Sequence, residues 1–399
     1  MYKRRFTAFF AVMSLFNMAA SFAHPVTPTI IQNQNMHDYM FGVALGVMLI
    51  TSFLMSPFWG KINVYISSRR ALFISCLGYA AAQFWFAYST TELMIILARM
   101  FAGLFTGGVF TSFLTYIVNV AKPGDQAKYL TYNVTSMSVG SAFGYMVGGL
   151  LGEISVRGTF LVQVACILLS GIAFLFICEP DTKEGLKLSG KQLAKEANPF
   201  QAFVDSREFM SVGFVLLFAV NILINFANTG FDQAFNYYLK DQLSLTSSYN
   251  GIIKAAVGLI SFVANMTLCV WIIHKTNVKK SMTVLTAVCA AAALGTTVSA
   301  NICVFIVFSV LVYAGYSVSL PVLQNAVAEQ ADPEQKNLVM GFYNATKSLG
   351  SIAGSFIAGF IYSVHVKLPF ACTCLIYTLG IAAAAGYMIY NQDKKGQEV

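Results

Sequence analysis

Asp232 follows Asn221, Asn225 and Asn228 at intervals of 4, 3 and 4 residues inside an apolar stretch. If that stretch is helical, all four side chains share one face. A carboxylate with apolar neighbours is a natural proton carrier, because its charged form is expensive there. An ionisable side chain within a lipid-crossing helix is a functional candidate by default. The alternative is hydrogen bonding between helices with no part in moving a solute. His24, which titrates near neutrality, lies 208 residues before Asp232, and Asn17 lies 208 before Asn225. The cations in apolar stretches are Arg99, Lys254 and Lys347. Lys254 either neutralises Asp232 or reaches back to the membrane interface. Lys347 either holds an acidic group of a substrate or pairs with an acid such as Glu329.

The elements that must position these residues are long and apolar. Hydrophobic residues make up 57% of the 399 and charged residues 11%, against about 25% charged in a soluble domain; mean hydropathy is +0.66. Apolar runs of about 18–25 residues, each long enough for a bilayer core, recur twelve times. Their centres fall near Phe16, Leu49, Leu77, Phe105, Ala142, Leu169, Ile224, Ser261, Ala291, Leu311, Ile352 and Gly380. Such runs are helices, being too uniform for the alternating strands of a barrel. With both termini cytoplasmic and the spans alternating, 19 of the 25 Lys and Arg fall on the cytoplasmic side. That asymmetry is the positive-inside pattern. The net charge of +8 therefore reports topology and contact with anionic lipid rather than nucleic-acid binding.

The second half repeats the first at an offset of 208–210 residues. Gly140, Gly144, Gly148 and Gly149 are echoed by Gly350, Gly354, Ala358 and Gly359, Pro123 by Pro333, and Arg69-Arg70 by Lys279-Lys280. Small residues four apart let two helix backbones approach closely. The reading is an all-α membrane protein of 12 transmembrane helices in two pseudo-symmetric six-helix bundles. Residues 1–178 form the first bundle and 209–390 the second. Residues 179–208 form a cytoplasmic linker with Lys183, Lys187, Lys191 and Lys195 at fourfold spacing, and 391–399 a cytoplasmic tail. Duplicated halves facing a central site are a common transporter plan.

Other chemistry finds no motif. The chain has no Walker lysine motif, no HExxH and no Cys-x-x-Cys, so neither a nucleotide, a metal nor another cofactor is expected, and the protein is not read as an enzyme. The eight cysteines lie in or at the edge of apolar runs as small core residues. Lys3-Arg4-Arg5, an apolar run and Ala20-Ser21-Phe22-Ala23 resemble a cleavable signal peptide. Cleavage would remove the span that pairs with the seventh, so this segment is read as span 1, with Pro25 and Pro28 breaking its end.

Gly140-x-x-x-Gly144-Tyr145-x-x-Gly148-Gly149 resembles the antiporter motif of the major facilitator superfamily, in its drug/proton antiporter branch, with Tyr145 where that family has proline. Arg99-x-x-x-Gly103-x-x-x-Gly107 is similar to the family's second motif, whose arginine is implicated in proton coupling. The stretch from Gly60 to Arg69 and Arg70 partly resembles its first motif, with Val64 and Tyr65 where aspartate and arginine are usual. The resemblance implies a secondary transporter of small organic molecules in the cell membrane, working by alternating access as a monomer. Proton-coupled export is the first expectation. Import or facilitated passage of a nutrient or organic anion is the rival, and a receptor or scaffold without transport is the third reading. Asp232, His24 and Arg99 are the proton-coupling candidates. Asn17, Asn221, Asn225, Asn228, Lys254 and Lys347 are the candidates for lining the substrate cavity.

Overall fold

The computed structural model describes residues 2–122, 125–181, 197–332 and 334–397, with no strand among them. Pro123, Pro333 and the linker lysines Lys183, Lys187, Lys191 and Lys195 lie outside the described residues. The helices are α1 Tyr2–Ala20, α2 Thr27–Asn33, α3 Met40–Ile66, α4 Ser68–Ala87, α5 Glu92–Val120, α6 Gln126–Ile154 and α7 Val156–Ile177. They continue with α8 Gln201–Asp205, α9 Val212–Asp241, α10 Ser247–Ala264, α11 Val270–Lys275, α12 Val278–Val298, α13 Ile302–Gln330, α14 Lys336–Val364 and α15 Leu368–Gln397. A π-helical turn, Asn265–Cys269, joins α10 to α11 into one continuous rod.

Each of the twelve predicted span centres falls in a different long helix or in that rod. Among the described residues, nine helices are long and apolar enough to cross a bilayer by length and composition alone. The other three are α1, α4 and α14, which carry Arg4 and Arg5, Arg69 and Arg70, and Lys347 respectively. Large apolar side chains cover the outside, Phe176 and Ile154 being 84% exposed; in water such a surface would drive association, and in lipid it is solvated. Helix starts follow local polar residues. Thr91, Ser155, Asn277 and Asn301 accept the first free backbone N–H groups of α5, α7, α12 and α13. α15 runs on to Gln397, so the stretch expected as a tail begins as a continuation of that helix.

The described residues pack as two compact units. The first takes those within Met1–Met36, Val47–Pro199 and Asn236–Gly258, and the second those within His37–Gly46, Phe200–Phe235 and Leu259–Val399. Boundaries at 178 and 209, drawn from connectivity, differ from this packing mainly at 37–46 and 236–258. The cause is local. In the second unit, a Cβ on Gly42 would fall on the Ser355 carbonyl oxygen and the Gly359 backbone, and Ser355 Oγ donates to the Gly42 carbonyl at 2.8 Å. In the first unit, a Cβ on Gly251 would fall on the Tyr145 carbonyl oxygen and the Gly149 backbone. Gly42 and Gly251, like Gly149 and Gly359, are related by the duplication offset, so both crossings are one contact repeated.

The first unit closes around an aromatic core in which Phe6 stacks on Tyr129 at 4.1 Å and Phe9 packs at 4.8 Å from Tyr116. Its α3–α4 corner is held from far along the chain. Asp181 accepts hydrogen bonds from Ser67 Oγ at 2.8 Å, Ser68 N at 2.8 Å, Ser68 Oγ at 2.5 Å and Asn119 Nδ2 at 3.1 Å. Ser67 has φ 70°, a left-handed conformation that a serine adopts at a cost. The carboxylate thus caps α4 and fixes the turn that begins it. Asp181→Ala is expected to lower the stability of the detergent-purified protein by about 1–2 kcal/mol. Thermal unfolding checks this, and an unchanged melting temperature contradicts it.

Candidate functional site

α9 carries the polar stripe in the second unit. Its lower half ties helices together. Asn221, fully buried, donates to the Tyr343 carbonyl at 2.8 Å and Thr346 Oγ1 at 3.0 Å on α14. Asn225 donates to Asn221 Oδ1 at 2.9 Å and accepts from the Tyr316 hydroxyl of α13 at 3.0 Å. Both amides are satisfied inside the protein, as a buried polar group in lipid must be. The upper half is different. Asn228 and Asp232 are only half-buried, and Asn228 Oδ1 is without a hydrogen-bond partner.

Asp232 Oδ1 accepts from the Tyr313 hydroxyl at 2.9 Å. That phenol is wedged between Phe231 and Phe235, edge-on to both rings at 5.4 and 5.6 Å. Phe305 and Phe370 complete the aromatic wall. α9 continues to Asp241, so Asp232 lies about 14 Å from that end at 1.5 Å per residue. A carboxylate so placed keeps a phenol donor beside it, and gain or loss of a proton there changes the charge facing the aromatic wall. Tyr313 and Tyr316 escape a sequence search because a tyrosine in an apolar run reads as ordinary filler.

Lys347 stands on α14, one residue after the Thr346 that binds Asn221 and one turn before Gly350. It is half-buried and has no hydrogen-bond or ion-pair partner among the described residues. Glu329, the acid offered as its partner from sequence, instead accepts from Asn325 on its own helix at 2.7 Å. A lysine at the centre of a membrane helix costs about 2.5–3.5 kcal/mol on the insertion scale, and among the described residues no hydrogen bond or ion pair offsets that cost.

In the first unit Arg99 is buried on α5 without a carboxylate. Its guanidinium lies 4.0 Å above the Phe86 ring, Nη2 donates to Thr27 Oγ1 at 3.3 Å, Nη1 approaches Met48 Sδ at 3.9 Å, and Nε is unpaired. Cation–π contact and dispersion hold this charge in place. Gly103 and Gly107, one and two turns on, let the α3 carbonyls of Met48 and Ser52 lie directly against α5. Gly60 meets only Thr111, at ordinary contact distance.

His24 does not sit on the first helix as its pairing with Asp232 requires. α1 ends at Ala20, before Pro25, and His24 lies in the turn ahead of α2. There its carbonyl accepts from Asn236 Nδ2 at 2.9 Å and its ring stacks on Tyr145 at 5.2 Å. The Lys254 ammonium lies 5.2 Å from the same Tyr145 ring. Asn17, the counterpart of Asn225, donates along its own helix to the Met13 carbonyl at 2.8 Å. Asn225 makes the matching bond to the Asn221 carbonyl at 2.8 Å, so the duplication is kept at this asparagine pair as at the glycines and is broken at His24.

The two glycine stripes do the same work in each unit. A Cβ on Gly140, Gly144 or Gly148 of α6 would strike the backbone of Ser14, Met18 or Phe22 respectively. A Cβ on Gly350 or Gly354 of α14 would strike the Ile222 or Phe226 carbonyl of α9. Gly149 and Gly359 face instead the crossings at Gly251 and Gly42, positions that the duplication offset relates without indicating that they touch. The basic pair Arg69-Arg70 opens α4 beside the corner that Asp181 caps. Among the described residues, no group of His, Cys, Asp and Glu has the arrangement of a metal site, and all eight cysteines are free.

Comparison with known proteins places this geometry. The sequence profile of the Major Facilitator Superfamily matches residues 7–302 and 217–398. The chain is 22% identical over 364 residues to Multidrug resistance protein 1 of Bacillus subtilis, covering 90% of each. It is 21% identical over 411 residues to Quinolone resistance protein NorA of Staphylococcus aureus, covering 99% of this chain and 97% of that one. The crystal structure of nucleoside transporter NupG is similar in fold, with a TM-score of 0.76 at 13% identity over 96% of this chain and 98% of that one.

Proposed function

The chain belongs to the major facilitator superfamily, and on that premise we propose that it is a proton-coupled exporter of small organic molecules. A carrier and not an enzyme, it is a multi-pass membrane protein with small-molecule substrates. Export is supported by the curated relatives, which are named for resistance to drugs and align over nearly their whole length. Proton coupling is supported above all by Asp232. Among the described residues it is the only carboxylate more than two residues inside a candidate membrane span, Asp393 on α15 lying beyond the span that ends at Tyr390. An outside proton neutralises Asp232, the protein reopens inward, and substrate binding releases the proton to the cytoplasm. Arg99 sets the electrostatics of the first unit, and Lys254 with His24 fixes Tyr145. The protein works as a monomer in the cell membrane with both termini cytoplasmic, an orientation supported by the lysine and arginine distribution. The rival reading, import or facilitated passage of a nutrient or organic anion, draws support from the lone ammonium of Lys347.

The test uses purified full-length protein in liposomes holding a trapped pH dye under an imposed pH gradient. A transported compound is expected to collapse the gradient faster than it does in protein-free liposomes. Solute movement with no proton movement contradicts coupling, and movement of neither supports a receptor or scaffold.

A further inference from the structure

We infer that the transported molecules carry an acidic group, carboxylate, sulfonate or phosphate, and that Lys347 is its anchor. The inference rests on the transport reading above and adds the charge class of the substrate. A half-buried ammonium in a membrane helix must be balanced by a carboxylate, by a bound anion, or by loss of its proton. Among the described residues Lys347 has no partner, and the acid most available to it from sequence, Glu329, binds Asn325.

The surroundings are built to hold the lysine in place. Thr346, the residue before it, accepts from Asn221 at 3.0 Å, and Tyr343 one turn earlier accepts through its carbonyl from the same amide at 2.8 Å. Gly350, one turn later, rests on the Ile222 carbonyl of α9. Lys347 thus rises from a segment of α14 that is tied to α9, about 17 Å from the start of that helix at 1.5 Å per residue. With the helix fixed in advance, only the side chain remains to be ordered when the ammonium meets an anion.

Two further observations point the same way. Asn228 Oδ1, further along α9, is a buried acceptor without a donor. Arg99 in the first unit is also buried without a carboxylate. Among the described residues Arg99 stands within a membrane-crossing helix of the first unit, and Lys347 on α14 of the second. Resistance proteins among the relatives do not dictate this choice, because the charges here are properties of this chain.

Liposomes containing the full-length protein are loaded with three matched probes, a naphthalene carboxylate, its primary amide and its trimethylammonium counterpart. Release is followed by mass spectrometry and scored against protein-free liposomes, for the wild type, Lys347→Met and Lys347→Arg. The wild type is expected to release the carboxylate preferentially. Lys347→Met should lose on the order of tenfold or more of that flux, and Lys347→Arg should keep part of it. Lys347→Met should also melt no lower than the wild type, because an unpaired charge has been removed; a paired, structural lysine would show a clear drop. Preferential release of the ammonium or the amide, equal carboxylate flux in Lys347→Met, or a large loss of its thermal stability each overturns the inference. No flux of any probe through the wild type sinks the transport reading, and the inference with it.

Discussion

Asp232→Asn is expected to abolish uphill transport while downhill exchange of substrate continues. Asparagine keeps the size of the side chain and still accepts from the Tyr313 hydroxyl, now 2.9 Å from Oδ1. The aromatic wall of Phe231, Phe235, Phe305 and Phe370 is undisturbed. Only the titration is lost, so what disappears is attributable to the proton. In vesicles with an imposed pH gradient, concentrative flux should fall to the level of protein-free controls. Counterflow of preloaded substrate should stay within a few-fold of the wild type, on the order expected when ground-state binding is left intact. Substrate-induced proton release in detergent should vanish as well. If Asp232→Asn still concentrates substrate at the normal rate, Asp232 is a structural partner of Tyr313, and coupling must be sought at Arg99 or His24.

Gly144→Leu and Gly354→Leu are expected to leave little folded, active protein. The first atom of the new side chain, before any of its branches, already falls on the Met18 or Phe226 carbonyl oxygen. Backbone atoms of a paired helix cannot step aside as a side chain does, so α1 must part from α6, or α9 from α14. Overpacking that side chains can absorb costs about 1–3 kcal/mol, and these replacements exceed that. Gly60→Leu is the matched control, because its nearest neighbour is the Thr111 methyl at 3.7 Å. Membrane yield and thermal unfolding check the ranking, and normal yield with both stripe glycines replaced contradicts it. Gly341, with nothing within 4 Å of an added Cβ, should tolerate alanine with no measurable loss.

The duplicated plan was legible because glycine positions and span centres recur at one offset, and close helix contact permits few alternatives to a small residue. The stripes at Gly144 and Gly354 could be read with their purpose, since spacing by four is a helix face. Their partners could not. Nothing along the chain says that Gly149 crosses Gly251 or that Gly42 crosses Gly359, although the offset relates all four. Asp181 was hidden for a similar reason. It lies more than a hundred residues from Ser67 and Ser68, and a carboxylate just past a span reads as linker. The sequence left open whether Lys347 pairs with Glu329, and a competitor four residues away on the same helix decided it, because Asn325 meets Glu329 without any tertiary fit. His24 was misplaced because Pro25 and Pro28 marked a break whose start could not be located, and α1 stops at Ala20. The polar stripe on α9 divides into a structural half and an open half, a distinction that depends on Tyr316, Tyr343 and Thr346 from other helices.

The most direct test of proton-driven export is accumulation in cells with and without the protein, measured for organic acids, antibiotics and toxic cations before and after a protonophore. Cells producing the protein should hold less of its substrates, and collapse of the proton gradient should raise accumulation to the level of cells lacking it. Equal or higher accumulation in the producing cells, or a deficit that survives the protonophore, contradicts the account.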